Sequence, residues 1–423
     1  MRVGIVRTTP WSVGGGFQYE MLLLEALSAV AKRGQDEILY LTDPDASLYN
    51  MVATGAVTYA GLPMRPITEP RYAQPSTAAF LKEVPAPLRA DMSVIQLDRD
   101  RARRLRRMGV DWLFQLSQHP FAFETHMPFV MPIHDLQHRI QPEFPEVSLY
   151  GQTEFREYMY RNACRFATLV LVDSEQGKAD VLRFYGDLID EDRIRILPFF
   201  PPPRHAVIPD DEDPRRVAAE LQLPSRFFFY PAQFWRHKNH HLIIEALRLI
   251  KERTGEAIPL VLSGSYADRV RAENFVDVVK TAQRSGVADQ VSYVGWVPDG
   301  KLPALYRLAA GLVMPTFFGP TNLPTLEAWH YGCPVITSDV PGVREQTGDA
   351  ALLIDPRSPE QLAEAMELVW RDPALAAVLV QRGRARLATY DWDDFVARVA
   401  SIVDEASARL RDGRAPRYPE AGL

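Results

Sequence analysis

The chain has 423 residues, 47% of them hydrophobic and 24% charged, with a formal net charge of −6. That length suits two or three domains with sizeable cores, and the negative balance excludes nucleic-acid binding through overall basicity. The two cysteines, Cys164 and Cys333, lie far apart in apolar surroundings without metal-ligand spacing, which fits buried thiols in a reducing cytoplasm. The opening MRVGIVRTTPW lacks the apolar core of a secretion signal, and no run reaches the ~18 apolar residues that a membrane-spanning helix needs.

In chain order, MRVGIV reads as a strand, VGGG (13–16) as a glycine-rich turn, residues 17–34 as a helix ending on Gly34, and 37–42 as a second strand. This β-turn-α-β order opens a doubly wound domain. Residues 85–111 read as helical. Segments 110–116, 128–135 and 167–174 read as buried strands that stop at polar residues. The stretch 194–209 holds five prolines in sixteen residues, which predicts a stiff linker and a domain boundary. Further strands are expected at 227–232, 258–264, 291–297, 311–316, 333–338 and 350–355. The helices expected among them are 239–254, 268–286, 300–310, 324–332 and 359–371. Continuous apolar strands alternating with amphipathic helices predict a parallel sheet covered on both faces. The expected fold class is therefore α/β, with two doubly wound Rossmann-like domains whose strand ends can face each other across a cleft. The tail 411–423 reads as loosely ordered.

Four stretches carry chemistry. Gly14, Gly15 and Gly16 stand between a strand and a helix, where backbone N–H groups and the helix dipole favour an anion, although a flexible turn would need the same glycines. In YPAQFWRHKNHH (230–241), Arg236, His237 and Lys238 precede a helix that Asn239 would cap; a lysine there suits a pyrophosphate, and a solvated basic loop is the alternative. His134, in PIHDLQH, ends a strand where it would hydrogen-bond a substrate hydroxyl, with Asp135 to orient it. His134, Asp135 and His138 would share a metal only on a helix, and Pro132 before a strand-like run argues against one. In FFGPTNLPTLEA (317–328), N–H groups around Thr321, Asn322 and Leu323 would meet phosphate or sugar oxygens. Glu327, expected in the first helical turn, would accept hydrogen bonds from a ribose diol.

The region 225–395, above all FFGPTNLPTLEAWHYGCPVITSDVPGVREQTGDAALLIDP, resembles the large retaining glycosyltransferase family 4 (glycosyl transferases group 1) with its GT-B fold. IHDLQH and VDSEQGKADVLRFYG extend the resemblance thinly into the first half. It implies a nucleoside-diphosphate-sugar donor, no cofactor and no required metal. Donor contacts would come from Gly15, Gly16, Gln233, Lys238, Ser263, Val297, Gly319, Thr321, Asn322, Leu323 and Glu327, and catalysis from His134, Lys238 and Arg236. Lys238 would hold the diphosphate, Glu327 the ribose and Val297 the base through its backbone. The family often has an arginine where Gln233 stands, so Arg236 is expected to supply that charge. It often has a glutamate eight residues before Glu327; Gly319 stands there, with Thr316 as another alignment. The resemblance also implies that 390–410 returns to the first domain, giving domains 1–200 (with 390–410), binding acceptor, and 201–389, binding donor.

The expected activity is retaining transfer of a hexose, mannose or another hexose or deoxyhexose, to a glycan or lipid-linked glycan in surface polysaccharide synthesis. Alternatives are a non-catalytic nucleotide-sugar-binding scaffold and a GT-B-fold epimerase or phosphorylase. No nucleic-acid partner is expected. RDRARRLRRMG (99–109) carries six arginines and, as a helix, would reach anionic headgroups at the inner face of the membrane; arginines paired with local acids are the other reading. Asp43-Pro44-Asp45 would suit a metal only in the other glycosyltransferase fold.

Overall fold

The computed structural model describes residues 1–6, 14–34, 36–42, 58–67, 76–89, 91–201, 213–298 and 300–418. Asp43-Pro44-Asp45, the first residue of the glycine turn and residues 202–209 of the expected linker lie outside them. The chain divides into two units, Met1–Ile140 with Ser148–Phe200 and Asp391–Leu423, and Gln141–Val147 with Pro201–Tyr390.

In the first unit, β1 (Arg2–Val6), β2 (Glu37–Thr42), β3 (Thr58–Tyr59), β4 (Leu62–Pro66), β5 (Trp112–Gln115), β6 (Phe129–Pro132), β7 (Leu169–Val172) and β8 (Ile194–Ile196) form one sheet. Their order is β3-β4-β2-β1-β5-β6-β7-β8, parallel except for the β3–β4 pair. The run of apolar residues along each central strand follows from burial on both faces. Strand β8 corrects the expected linker: Ile194–Ile196 pair with Val170–Val172 before the prolines begin.

The helix expected over 85–111 is two helices, Ala86–Arg89 and Arg99–Arg107. Tertiary bonds hold the intervening chain extended: Gln96 N–H donates to the Tyr158 hydroxyl at 3.1 Å, and Asp98 N–H to the Glu124 carbonyl at 2.8 Å. Asp98 then caps the second helix, accepting from Arg101 N–H at 3.0 Å. That helix buries Arg101, Ala102 and Leu105 and exposes Arg99, Arg103, Arg106 and Arg107, a stripe at i, i+4, i+7 and i+8.

The same region buries a carboxyl. Glu124 is 8% exposed and accepts from the Tyr158 and Thr77 hydroxyls at 3.1 and 3.2 Å. Burial pushes its pKa from 4.5 up to about 7 despite those bonds. An acid whose pKa rises on folding takes up a proton as the chain folds. Its contribution to stability is thus greatest below pH 4.5 and declines as the pH climbs to 7. Glu124→Gln keeps the acceptor and removes the charge. At pH 8 it should be more stable than the parent by about 3 kcal/mol, an advantage that vanishes near pH 4; urea unfolding across pH measures this.

The final helix, Trp392–Arg411, starts on Asp391, which accepts from Asp394 N–H at 2.9 Å. It belongs to the first unit, where it packs on the Gly14–Ala31 helix. Phe395, Val396, Val399, Ile402, Val403 and Ala406 form its buried stripe. Ser407 closes the seam, accepting from Trp112 Nε1 at 3.2 Å and donating to Asp36 Oδ2 at 2.8 Å. Of the tail, residues 411–418 are described; there the Tyr418 hydroxyl donates to the Met127 carbonyl at 2.9 Å, and its ring stacks on His126 and Phe166.

In the second unit, β9 (Phe227–Pro231), β10 (Leu260–Ser263), β11 (Val291–Tyr293), β12 (Ala309–Met314), β13 (Val335–Ser338) and β14 (Leu352–Ile354) pair in the order β11-β10-β9-β12-β13-β14, all parallel. The strand order reverses between β9 and β12. In such sheets ligands bind beyond the carboxyl ends of the strands at that switch point.

Candidate functional site

At the switch point, β9 runs into the loop 232–239 and the helix His240–Thr254. Arg236–Lys238 make a 3-10 turn. Asn239 follows in the left-handed region at φ 55°. Its side chain does not cap the helix as expected. Instead its Nδ2 donates to the carbonyls of Pro315 at 3.0 Å and Pro356 at 2.8 Å, tying the ends of β12 and β14 to the loop after β9. Asn239 therefore leaves the start of the helix without a cap from its own side chain, an arrangement suited to an anion.

Lys238 is fixed by its neighbours. Its carbonyl accepts from the Tyr230 hydroxyl at 2.8 Å. His237 before it donates from N–H and Nδ1 to Glu146 Oε1, at 2.9 and 2.5 Å. The His237 carbonyl accepts from Phe317 N–H at 2.7 Å, which joins the loop after β9 to the loop after β12. Lys238 and the 317–328 stretch thus share one sheet edge.

In that second loop, Asn322 precedes the helix Leu323–His330 and makes no side-chain cap. Contrary to the expectation from sequence, its N–H is not open to a ligand, because it donates to Gln346 Oε1 at 3.0 Å. Gln346 Nε2 returns a bond to the Asn322 carbonyl at 3.0 Å, and Asn322 Nδ2 donates to the Gly319 carbonyl at 2.8 Å. Gly319 has φ +132°, and a Cβ there would lie 2.8 Å from Asn322 Oδ1. A side chain there would be strained by that φ and would displace the Asn322 amide. Thr316 does not replace the carboxylate missing eight residues before Glu327. It is fully buried, with its hydroxyl 2.6 Å from the Phe318 carbonyl and 3.2 Å from that of His237.

Glu327 is the fifth residue of its helix, so it sits in the second turn rather than the first, where the dipole acts less on it. A neighbour fixes it instead: the buried Tyr306 hydroxyl donates to its Oε2 at 2.6 Å. The remaining expected donor contacts lie on the same edge. Thr321 and Leu323 flank Asn322, Ser263 ends β10, and Val297 lies four residues beyond β11. Gly264, after Ser263, has φ +141° and no room for a Cβ, which would lie 2.2 Å from the Ala232 carbonyl; the strand ends crowd together here.

Arg236, expected to supply the charge missing at Gln233, pairs with an acid of the protein. Its Nη1 is 2.9 Å from Asp277 Oδ2, on the helix Arg269–Arg284. Gln233 accepts from Trp235 Nε1 and Arg271 Nη1, both at 2.9 Å.

In the first unit, Gly15 and Gly16 belong to the first turn of the Gly14–Ala31 helix rather than to a turn before it. A Cβ at Gly16 would touch none of the described residues. His134 follows β6, with its ring edge-on to Tyr19 at 4.5 Å and tilted against Phe199 at 5.5 Å. Burial pulls its pKa from 6.5 down to about 4, against Asp135, so it is neutral at pH 7. Asp135 does not orient it: Asp135 Oδ1 accepts from Arg156 Nη1 at 2.9 Å and Gln137 N–H at 3.1 Å. His138 Nε2 lies 2.7 Å from Glu157 Oε1 and 3.2 Å from the Tyr185 hydroxyl. Because His134 is already neutral, turnover should not titrate with an ordinary histidine pKa. A pH profile should run flat through pH 6.5, and His134→Ala should lower kcat more than donor affinity; a pure binding loss would refute this role.

Sequence reasoning missed Tyr306, Gln346, Glu146 and Arg271, and gave Asn239 a capping role that it does not have. Only Arg271 had a local signal, a cation in the first turn of a helix that follows an expected strand.

Comparison with known proteins extends this geometry. Residues 211–386 match the family model described as "Glycosyl transferases group 1". The chain is 26% identical over 259 residues to an O-antigen chain mannosyltransferase B of Escherichia coli, 59% of this chain and 64% of that protein. It is 25% identical over 279 residues to the serotype-specific mannosyltransferase WbdA of Escherichia coli, 64% of this chain and 33% of that one. The matches therefore span less than two thirds of these relatives' own length. Among solved structures, Anabaena Alr3699/HepE in complex with UDP and glucose aligns with a TM-score of 0.66 at 17% identity, covering 95% of this chain and 99% of that one. This likeness is one of fold, an α/β architecture of the GT-B type with two Rossmann-like units.

Proposed function

We propose that the protein is a retaining glycosyltransferase that moves a hexose from a nucleoside-diphosphate sugar to a glycan or lipid-linked glycan in surface polysaccharide synthesis. One observation carries this reading. The loop that holds Lys238 and the stretch that holds Glu327 are joined at the β9/β12 switch point by the Phe317 N–H bond to the His237 carbonyl, and each leads into a helix that its N-cap side chain leaves uncapped, a setting of charge and helix dipole that suits a pyrophosphate and a ribose. The mannosyltransferase names of the relatives support the hexose and the glycan acceptor. The UDP and glucose bound to the Anabaena protein support the donor class.

As the glycosidic bond breaks, charge builds on the leaving diphosphate. Lys238 and the helix N–H groups stabilise it in place, without reorganising. The donor phosphate takes the acceptor's proton, and no metal is required. Neutral His134 hydrogen-bonds the transferred sugar. Gly15 and Gly16 let the phosphates approach the backbone.

Among the described residues no helix is long and apolar enough to cross a membrane. The protein works in the cytoplasm, and a lipid-linked acceptor is reached from the membrane surface, where the stripe Arg99, Arg103, Arg106 and Arg107 meets anionic headgroups.

The test is a panel of UDP-, GDP-, ADP- and TDP-sugars, followed for release of nucleoside diphosphate with and without a chelator. Turnover of one donor in the chelator, with the anomeric configuration kept in the glycoside product, is the expected result. Tight donor binding with no turnover on any acceptor would point to a scaffold and overturn the reading.

A further inference from the structure

The helix Arg269–Arg284 leaves the carboxyl end of β10 and carries the loop after β9 on one face. Arg271, Asn274 and Asp277, three residues apart, take Gln233, Phe234 and Arg236 in order. Arg271 Nη1 donates to Gln233 Oε1 at 2.9 Å, Asn274 Nδ2 to the Phe234 carbonyl at 3.0 Å, and Arg236 Nη1 to Asp277 Oδ2 at 2.9 Å. The helix runs back from the strand ends, so Asp277 lies roughly 9 Å further along its axis than Arg271. The acid therefore draws Arg236 away from the ligand edge, while Arg271, in the first turn, stays at it.

Arg271 is also the better-placed cation of the two. Its side chain is 12% exposed against 40% for Arg236. Its guanidinium lies over the Trp235 ring, 4.7 Å from the centroid, and its Nε pairs with Asp268. Gln233 Oε1 binds Arg271 Nη1 and Trp235 Nε1 together, fixing the plane of the fork. Nη2 makes no hydrogen bond among the described residues and is not among the enclosed unpartnered atoms, so one edge of a pre-set guanidinium remains for an acceptor. A planar fork held in this way suits a phosphate oxygen better than a mobile side chain does.

We infer that Arg271 is a donor-binding residue, the second cation on the pyrophosphate alongside Lys238. The inference rests on the nucleotide-sugar reading above. Gln233 then serves as the neutral clamp that aims it.

Calorimetric titration of the full chain with UDP and GDP, and with uridine and guanosine, tests it. The parent should bind one diphosphate more tightly than its nucleoside. Arg271→Gln should weaken that diphosphate about thirtyfold and leave the nucleoside unchanged. Arg271→Lys keeps the charge and the reach to Asp268 and should lose only about fivefold; it carries the test if the glutamine variant does not fold. Diphosphate affinity within threefold of the parent in both variants overturns the inference and leaves the donor reading standing. An equal loss for diphosphate and nucleoside overturns it in favour of a purely structural role. Failure of the parent to bind either diphosphate overturns the donor reading itself, and the role of Arg271 with it.

Discussion

Replacing Lys238 with alanine should lower the rate of sugar transfer by roughly 10²–10³-fold, the effect of removing one preorganised donor from a developing oxyanion. The preorganisation is visible around the residue. The Tyr230 hydroxyl holds its carbonyl, Glu146 holds His237 before it, and Asn239 after it is tied to Pro315 and Pro356. The side chain thus leaves a backbone pinned on both sides by bonds that do not use the ammonium group, and those bonds remain in the variant. Donor affinity should fall less than kcat, because charge on the diphosphate grows as the bond breaks. Steady-state release of nucleoside diphosphate, with far-UV circular dichroism to confirm folding, checks both statements. Transfer within threefold of the parent would remove Lys238 from the mechanism.

The second large effect is expected at Glu327. Loss of two charge-assisted hydrogen bonds to a ribose costs about 2 kcal/mol, or roughly thirtyfold in donor affinity. Glu327→Ala also strips Tyr306 of its acceptor and leaves a buried hydroxyl unpaired, so part of any loss is reorganisation. Tyr306→Phe separates the two. It keeps the carboxylate, removes the hydroxyl, and should weaken the donor only a few-fold. Titration of the folded variants with UDP and GDP measures each. Unchanged affinity in Glu327→Ala would show that the carboxylate does not touch the nucleotide.

Most strands of both units were legible because they are local apolar runs. Glu37–Thr42 falls where the sequence reading placed it, and Phe227–Pro231 within a residue. Strand β8 and the break at 91–98 were not legible. Prolines close by hid the first, and the second depends on Glu124 and Tyr158, which are distant in the chain. At the site, the sequence picked out the segments that collect on the β9/β12 edge but misjudged what several residues do there. Arg236, Asn322 and Thr316 each looked available for a ligand, and each is engaged with protein.

The residue pattern alone determined the alternation of strands and helices, and with it the doubly wound class and the edge where ligands collect. Those features follow from the spacing of apolar residues over a few turns. Only the tertiary structure decided which polar groups remain for a ligand. Pairs such as Glu146 with His237, Arg236 with Asp277 and Glu327 with Tyr306 form between elements 91, 41 and 21 residues apart. A charge or amide commits to whichever partner folding brings within about 3 Å, and no local pattern encodes that distance.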